Sequence, residues 1–243
     1  MSIRRVFAQA WKLYTRWFGR FVLTAAAIFV VLEFFAAVSA SAAHAHNWAA
    51  AVLWGIVSFM LWVVGTFWVQ GALVEAVNDL RDGRADLSIG ELFRRAQPLL
   101  PALIAAGVVA ALGIAFGLVL LIVPGLILLT RWIFIVPVIV LEKKSAGESF
   151  GRSRELVKGS GSSWSVLGLI ILTVLVLAAG SALIRLALFP VKALPDFFAG
   201  WIVGTIASSL TAPFAALVWT LAYFELDREL VQPSATRLPP IQV

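Results

Sequence analysis

The sequence predicts an all-α integral membrane bundle of six transmembrane helices. Three observations carry that expectation. Of 243 residues, 61% are hydrophobic and only 13% charged, where a soluble domain carries roughly 25% charged residues. The mean hydropathy is +0.97. Six apolar runs reach or approach the ~20 residues a helix needs to cross hydrocarbon. A water-soluble core of this size would need far more polar surface, whereas lipid asks for none around a helix bundle.

The first run, about 19–41, follows a basic start and is interrupted by Glu33. It ends near Ala40-Ser41-Ala42, which imitates a secretory cleavage site, but it is too long for a signal core and is expected to remain as a span. The second run is about 49–77. The third, about 99–122, and the fourth, about 124–141, meet at the Pro124-Gly125 turn and form a tight hairpin. Two arrangements fit that hairpin, a full crossing or a pair dipping in and out from one side. The fifth run is about 164–189 and the sixth about 197–224. Pro137 and Pro213 are expected to kink the fourth and sixth helices. Gly113 with Gly117, and the ridge Gly200, Gly204, Ser208 and Ala212, read as close-packing faces. Trp48 and Trp164 stand where an interfacial aromatic belt is expected.

Basic residues orient the bundle, because short loops rich in Lys and Arg stay cytoplasmic. Arg185 and Lys192 alone fall on one side and Arg131 falls within a span, while every other Lys and Arg lies on the opposite side. Both termini are therefore expected inside, with residues 1–230 as a single six-span domain and 231–243 as a cytoplasmic tail. Basicity of this kind has its cause in topology, and no nucleic-acid module is recognisable, so nucleic acid is not an expected partner. There is no cysteine, which excludes disulfides and thiolate chemistry.

An internal repeat emerges when SIGELFRRAQPL at 88–99 is laid on SAGESFGRSREL at 145–156. Ser88, Gly90, Glu91, Phe93, Arg95, Ala96 and Leu99 fall on Ser145, Gly147, Glu148, Phe150, Arg152, Ser153 and Leu156. A weaker copy at the start, SIRRVFAQAWKL, keeps Ser2, Phe7, Ala10 and Leu13 but has Arg5 where the others have Glu. Ser88 with Glu91 and Ser145 with Glu148 are capping boxes, and Glu91 to Arg95 and Glu148 to Arg152 are supporting pairs one turn apart. Each copy reads as a short amphipathic helix at the cytoplasmic interface and stands directly before two spans. Three units follow, about 2–77, 88–141 and 145–224, each an interfacial helix plus a two-span hairpin. Arg94, Arg95, Arg152, Arg154 and Lys158 are the candidate contacts to anionic lipid, to a protein partner or to a second copy of the chain.

Inside the spans, Glu33 and Arg131 are each about 10 Å from the outer surface at 1.5 Å per residue. Equal depth and the cost of an unpaired intramembrane charge predict an ion pair between them, with separate snorkelling as the alternative. Glu75, Glu142 and Glu225 end the second, fourth and sixth spans and are expected to meet the basic faces of the interfacial helices. Thr66, Gln70, Asn78, Thr205, Ser208, Ser209 and Thr211 suit interhelical hydrogen bonds more readily than a conduit. His44 and His46 lack a third ligand, so no metal is expected. No phosphate loop, zinc-protease helix or nucleophile elbow occurs, so neither a catalytic residue nor a cofactor is expected.

The run RWIFIVPVIVLEKKSAGESFGRSRELVKG, residues 131–159, resembles the signature of the bacterial membrane-domain family named after glycerophosphoryl diester phosphodiesterase. The matching positions are Arg131, Pro137, Glu142, Ser153, Leu156 and Gly159, supported by the VPG turn at 123–125 and YFELDREL at 223–230. The resemblance implies a bacterial inner-membrane protein. It does not imply the phosphodiesterase reaction, which in that family belongs to a separate soluble barrel, for which 243 residues filled with six spans leave no room. The expected role is a non-enzymatic membrane protein organising partners or lipids through its interfacial helices. A small transporter or channel using Glu33, Arg131 and the polar sixth span is the alternative, and a lipid-modifying enzyme the third.

Overall fold

The computed structural model describes residues 2–80, 85–159, 161 and 163–236, excluding the side chains of residue 192 and of residues 231–236. Among the described residues there are helices and turns but no strand. Among the described residues six helical stretches are long and apolar enough to span a membrane: Phe18–His44, Trp48–Asp79, Ile89–Leu120, Ile122–Glu142, Ser163–Ala187 and Asp196–Leu230. Their outward surfaces are apolar, with Phe59, Leu112, Phe116 and Leu183 about two-thirds exposed. Water would penalise that surface, whereas hydrocarbon does not.

Helix α1 (Ile3–Arg16) is followed at Trp17 by α2 (Phe18–His44), and a short turn leads to α3 (Trp48–Asp79). Asn47 caps α3 through the Ala50 N–H. α4 (Ile89–Ala96) runs through a single 3₁₀ turn at Gln97–Leu99 into α5 (Leu100–Leu120), so the second amphipathic helix and its span are nearly one rod. The return span of that hairpin is divided into α6 (Ile122–Trp132) and α7 (Ile135–Glu142). Pro137 explains the division: it has no N–H for the carbonyl of Ile133, and its ring crowds that carbonyl. α8 (Ala146–Gly159), α9 (Ser163–Ala187) and α10 (Asp196–Thr236) complete the order. α10 continues through Pro213, and the expected tail begins as helix up to Thr236, with residues 237–243 outside the described ones.

The core forms where α2 packs against both α3 and α10, around Phe21, Ala25, Phe29, Leu32, Val69, Leu73, Phe214 and Leu217. Glycine permits the closest approaches within the α5–α6 hairpin: a Cβ on Gly117 would come 3.0 Å from the Gly125 Cα, and one on Gly125 would come 2.6 Å from the Leu118 backbone nitrogen. The small-residue face at Gly113 and Gly117 therefore meets this same chain, against Trp132 and Gly125.

The three amphipathic helices pack on the chain in a common way. α4 lies on α3, α8 on α6 and α7, and α1 across α10 and the start of α9. Val6, Leu92 and Ser149, which correspond in the sequence alignment, are all buried, as are Ala10, Ala96 and Ser153. Phe7, Phe93 and Phe150 also correspond, and each meets an aromatic ring of the span it packs on. These are Phe214, Trp68 and Trp132, at centroid distances of 5.9, 5.5 and 5.0 Å. Trp68 adds an Nε1–H bond of 3.0 Å to the Phe93 carbonyl.

Replacing Gly125 by Ala sets a Cβ against the Leu118 backbone nitrogen as well as its side chain, so a rotamer change alone cannot relieve the clash. We expect a loss of about 1–3 kcal/mol, read as a lowered unfolding midpoint in detergent. Gly180→Ala, where a Cβ meets nothing within 4 Å, should not lower it.

Candidate functional site

The charged groups gather at the end of the bundle where α3, α7 and α10 finish and α8 crosses. Both capping boxes close. The Ser88 N–H donates to Glu91 at 2.8 Å and the Glu91 N–H to Ser88 Oγ at 3.3 Å. The Ser145 and Glu148 pair does the same at 3.0 and 3.4 Å. Bonds from Ser145 hold the Glu148 carboxyl below the usual carboxylate range. Ser2 has no such partner in its own helix, because Arg5 stands where Glu would be. Its N–H donates instead to Glu225 Oε1 at 2.9 Å, with Arg5 3.9 Å from the same oxygen. The last span thereby supplies the acceptor that the first helix lacks.

Glu142 and Arg152 are the centre of this end. Arg152 Nε donates to both Glu142 oxygens at 2.9 and 3.2 Å, Nη2 to Asp227 at 2.7 Å and Nη1 to Glu155 at 3.2 Å. Glu142 also accepts from the Tyr223 hydroxyl at 2.9 Å and lies 3.2 Å from Lys144 Nζ. One guanidinium thus joins α7, α8 and α10. Burial opposes its charge, but bonds from Glu142 and then Glu155 outweigh burial and raise its pKa above the ordinary value. Nearby, Lys143 bonds the buried Glu75 at 2.7 Å from a left-handed backbone conformation, φ 55°. Arg20 bonds Asp79 at 2.6 Å, and Asp79 accepts the Leu87 N–H at 3.2 Å. Glu142 and Glu225 meet the amphipathic helices as expected, whereas Glu75 meets the lysine after α7.

Ser153 mends the break in the fourth span. Its hydroxyl donates to the Arg131 carbonyl at 2.7 Å and accepts the Phe134 N–H at 3.3 Å. α1 and α4 carry alanine at this position, Ala10 and Ala96, and pack on unbroken helices. Sequence reasoning read Ser153 as the counterpart of Ala96 and as a position of the family resemblance, and missed this role. The signal was available in the combination of Pro137 with serine where the other copies have alanine.

Two expected contacts come out differently. Glu33 and Arg131 are not brought together: Glu33 accepts from Ser208 Oγ at 2.7 Å and lies against Gly204. Arg131 shares a groove with Val123, Thr130, Ser163 and Trp164. The break before Pro137 is the reason, because it makes α6 a separate segment turned toward α8 and α9 while α2 stays between α3 and α10. Arg152 is only 20% exposed, and its Nε, Nη1 and Nη2 each bond a carboxylate of this chain, so it does not stand free on the surface of α8. Arg94, Arg95, Arg154 and Lys158 do stand exposed.

At the opposite end, Glu33 lines a cavity of about 610 Å³ with His44, Arg185, Asp196, Gly200 and Gly204. His44 Nδ1 is 3.9 Å from Asp196. Of the polar residues expected to bridge helices, Ser208 does so, Thr211 bonds its own backbone at Ala207, and Thr66, Thr205 and Ser209 keep buried hydroxyls with no partner among the described residues. Among the described residues no group of three or more His, Asp or Glu could hold a metal ion.

Residues 99–226 match the family model described as the membrane domain of glycerophosphoryl diester phosphodiesterase. No curated protein and no solved structure matches the chain.

Arg152→Ala leaves Glu142 and Asp227 without their shared donor. It should cost about 3 kcal/mol, toward the low end for a broken buried pair because a fifth of the side chain is exposed. Arg152→Lys should recover only part of the loss, since an ammonium cannot span the fork-shaped geometry. Unfolding midpoints in detergent would measure both. In the same measurement, Ser153→Ala should cost about 1–3 kcal/mol by stranding the Phe134 N–H.

Proposed function

Because the chain belongs to the family of the membrane domain of glycerophosphoryl diester phosphodiesterase, we propose that it acts as a non-enzymatic, multi-pass protein of a bacterial inner membrane. It organises membrane lipids or protein partners through its amphipathic helices. The observation that carries this reading is how charge is allocated. At the end of the bundle crossed by α8, the inward-facing acidic and basic groups bond one another and hold helices together, while Arg94, Arg95, Arg154 and Lys158 stand outward on α4 and α8. A membrane's anionic leaflet attracts such residues, each contributing about 1 kcal/mol near the surface. The family name describes the membrane part of a phosphodiesterase, and nothing in the named residues calls for that reaction.

We read the architecture as three repeated units within one domain, residues 1–230, with both termini cytoplasmic. The shared buried positions of α1, α4 and α8, and their matching phenylalanine contacts, support the repeats. The gathering of the exposed arginines other than Arg185 at one end supports the orientation. Each amphipathic helix rests on the span preceding it, and α1 rests on the last span, so the units close into a ring.

A second reading, a small transporter, draws on one specific feature, the cavity ending at Glu33. A carboxylate within a span that faces a cavity is the usual mark of an ion or solute path. Arg131 plays no part in that path, since it lies elsewhere. Glu33→Gln in proteoliposomes would abolish cation-coupled uptake if this reading holds.

The first reading predicts that Arg94→Glu, Arg95→Glu and Arg154→Glu together lower co-purified anionic lipid or cross-linked partner several-fold, about fivefold per engaged base. The unfolding midpoint should move by less than about 0.5 kcal/mol equivalent, as for exposed substitutions generally. Unchanged lipid and unchanged partners in the full-length variant would end it.

A further inference from the structure

The groove beside Arg131 has a chemistry that its neighbours do not explain. It encloses about 280 Å³ between α6 and the start of α9, and its walls are Val123, Leu126, Ile127, Thr130, Leu167 and Trp164. Those walls are largely apolar and open outward: Val123 is 66% and Trp164 85% exposed. Arg131 stands in this groove with no carboxylate in ion-pair distance among the described residues. Thr130 spends its hydroxyl on the Leu126 carbonyl at 2.7 Å.

Two further bases belong to the same neighbourhood. Arg154 and Lys158 lie one turn apart on the exposed face of α8, and neither has a carboxylate partner among the described residues. The Lys158 ammonium is pushed below its ordinary pKa by the Arg154 and then the Arg131 guanidinium. Like charges this close destabilise one another. A cation held in a membrane-spanning segment needs a partner or a polar headgroup to reach.

We propose that this groove holds one anionic glycerophospholipid, its phosphate on Arg131 and Lys158 and part of an acyl chain along Val123, Ile127 and Leu167. The assignment rests on the proposed role in lipid organisation and narrows it to one site. Charge complementarity selects an anion. The apolar wall, continuous with the exposed surface of α6, selects a lipid over free phosphate, which would leave Val123, Ile127 and Leu167 without an occupant. Trp164, large and mostly exposed at the mouth, suits the headgroup level where indole rings collect.

The test is native mass spectrometry of the full-length protein in mild detergent. It is titrated with phosphatidylglycerol, with phosphatidylcholine of the same chains, and with inorganic phosphate. Phosphatidylglycerol should bind with one preferred site. Lys158→Gln should weaken it about fivefold, and Arg131→Gln with Lys158→Gln about 25-fold, at one kcal/mol per base, with phosphatidylcholine unaffected. Lys158 is exposed, so its single variant keeps the test valid if the double variant misfolds. Leu167→Trp, which fills the groove without touching charge, should weaken both lipids. Equal phosphatidylglycerol affinity in Lys158→Gln and parent would overturn the proposal. Phosphate competing at the same site, with Leu167→Trp harmless, would reduce it to an anion site and overturn the lipid assignment. Loss of this site with the Arg94, Arg95 and Arg154 dependence intact would leave the broader role standing; the reverse result would leave the site without that role.

Discussion

The constraint that shapes this protein is that backbone polar groups in hydrocarbon must be satisfied from within. Five of the candidate spans run as unbroken helical stretches, the last of them through Pro213. The fourth does not, because Pro137 withholds an N–H and crowds the turn before it, leaving α6 and α7 separated at residues 133–134. A lipid-facing break would strand the Arg131 carbonyl and the Phe134 N–H, and the Ser153 hydroxyl meets both. α8 must therefore lie against the break rather than float at a headgroup surface. Its burial of Ser149, Ser153, Leu156 and Val157 follows from that duty. With Ser153 fixed, Arg152 is the neighbouring residue that reaches Glu142 and Asp227, so the ion network is built on the same placement.

Charge is distributed economically around this arrangement. In a low-dielectric surrounding an unpaired group is costly, and removal of one partner strands the other. Glu142 accordingly gathers Arg152, Tyr223 and Lys144, and Glu75 gathers Lys143. At the start of the chain Arg5 takes the place of a capping glutamate, and Glu225 from the last span accepts the Ser2 N–H. This exchange joins the first and last helices, which the two self-capped helices could not do with their own glutamates. Tyr14 strengthens the same seam. Its hydroxyl donates to the Leu210 carbonyl at 2.9 Å, near the carbonyl that Pro213 leaves without a partner, and burial pushes its pKa up to about 12, so it remains a donor.

The fold was legible where a single local rule decides the outcome. Span number followed from length and hydropathy, and the capping boxes from serine and glutamate three residues apart. The burial of positions 6, 92 and 149 was implicit in an alignment of twelve residues. What escaped depended on one proline acting at a distance. Depth arithmetic that treats the fourth span as a straight rod puts Arg131 level with Glu33, yet α6, set apart by the break at 133–134, packs on α8 and α9 rather than on α2. Arg152 was misjudged for a related reason: spacing on α8 shows which side chains share a face, but not that Glu142 and Asp227 approach that face from two other helices.

The same proline explains why the two intramembrane charges have such different settings. Glu33 lies on a continuous helix between α3 and α10; its Oε1 accepts from Ser208, and its Oε2 lies beside Gly204, which leaves room for it. Arg131 lies on the short segment that the break turns outward, near Trp164 and the bases of α8. Had α6 and α7 formed one helix, Ser153 would have had no freed backbone to bond and α8 no polar reason to pack there. Arg131 would then have needed a carboxylate partner within the bundle. The break removes that need by carrying the guanidinium to a lipid-facing groove, where a headgroup phosphate has the complementary charge. A structural repair and a candidate lipid site are thus two consequences of one missing hydrogen bond.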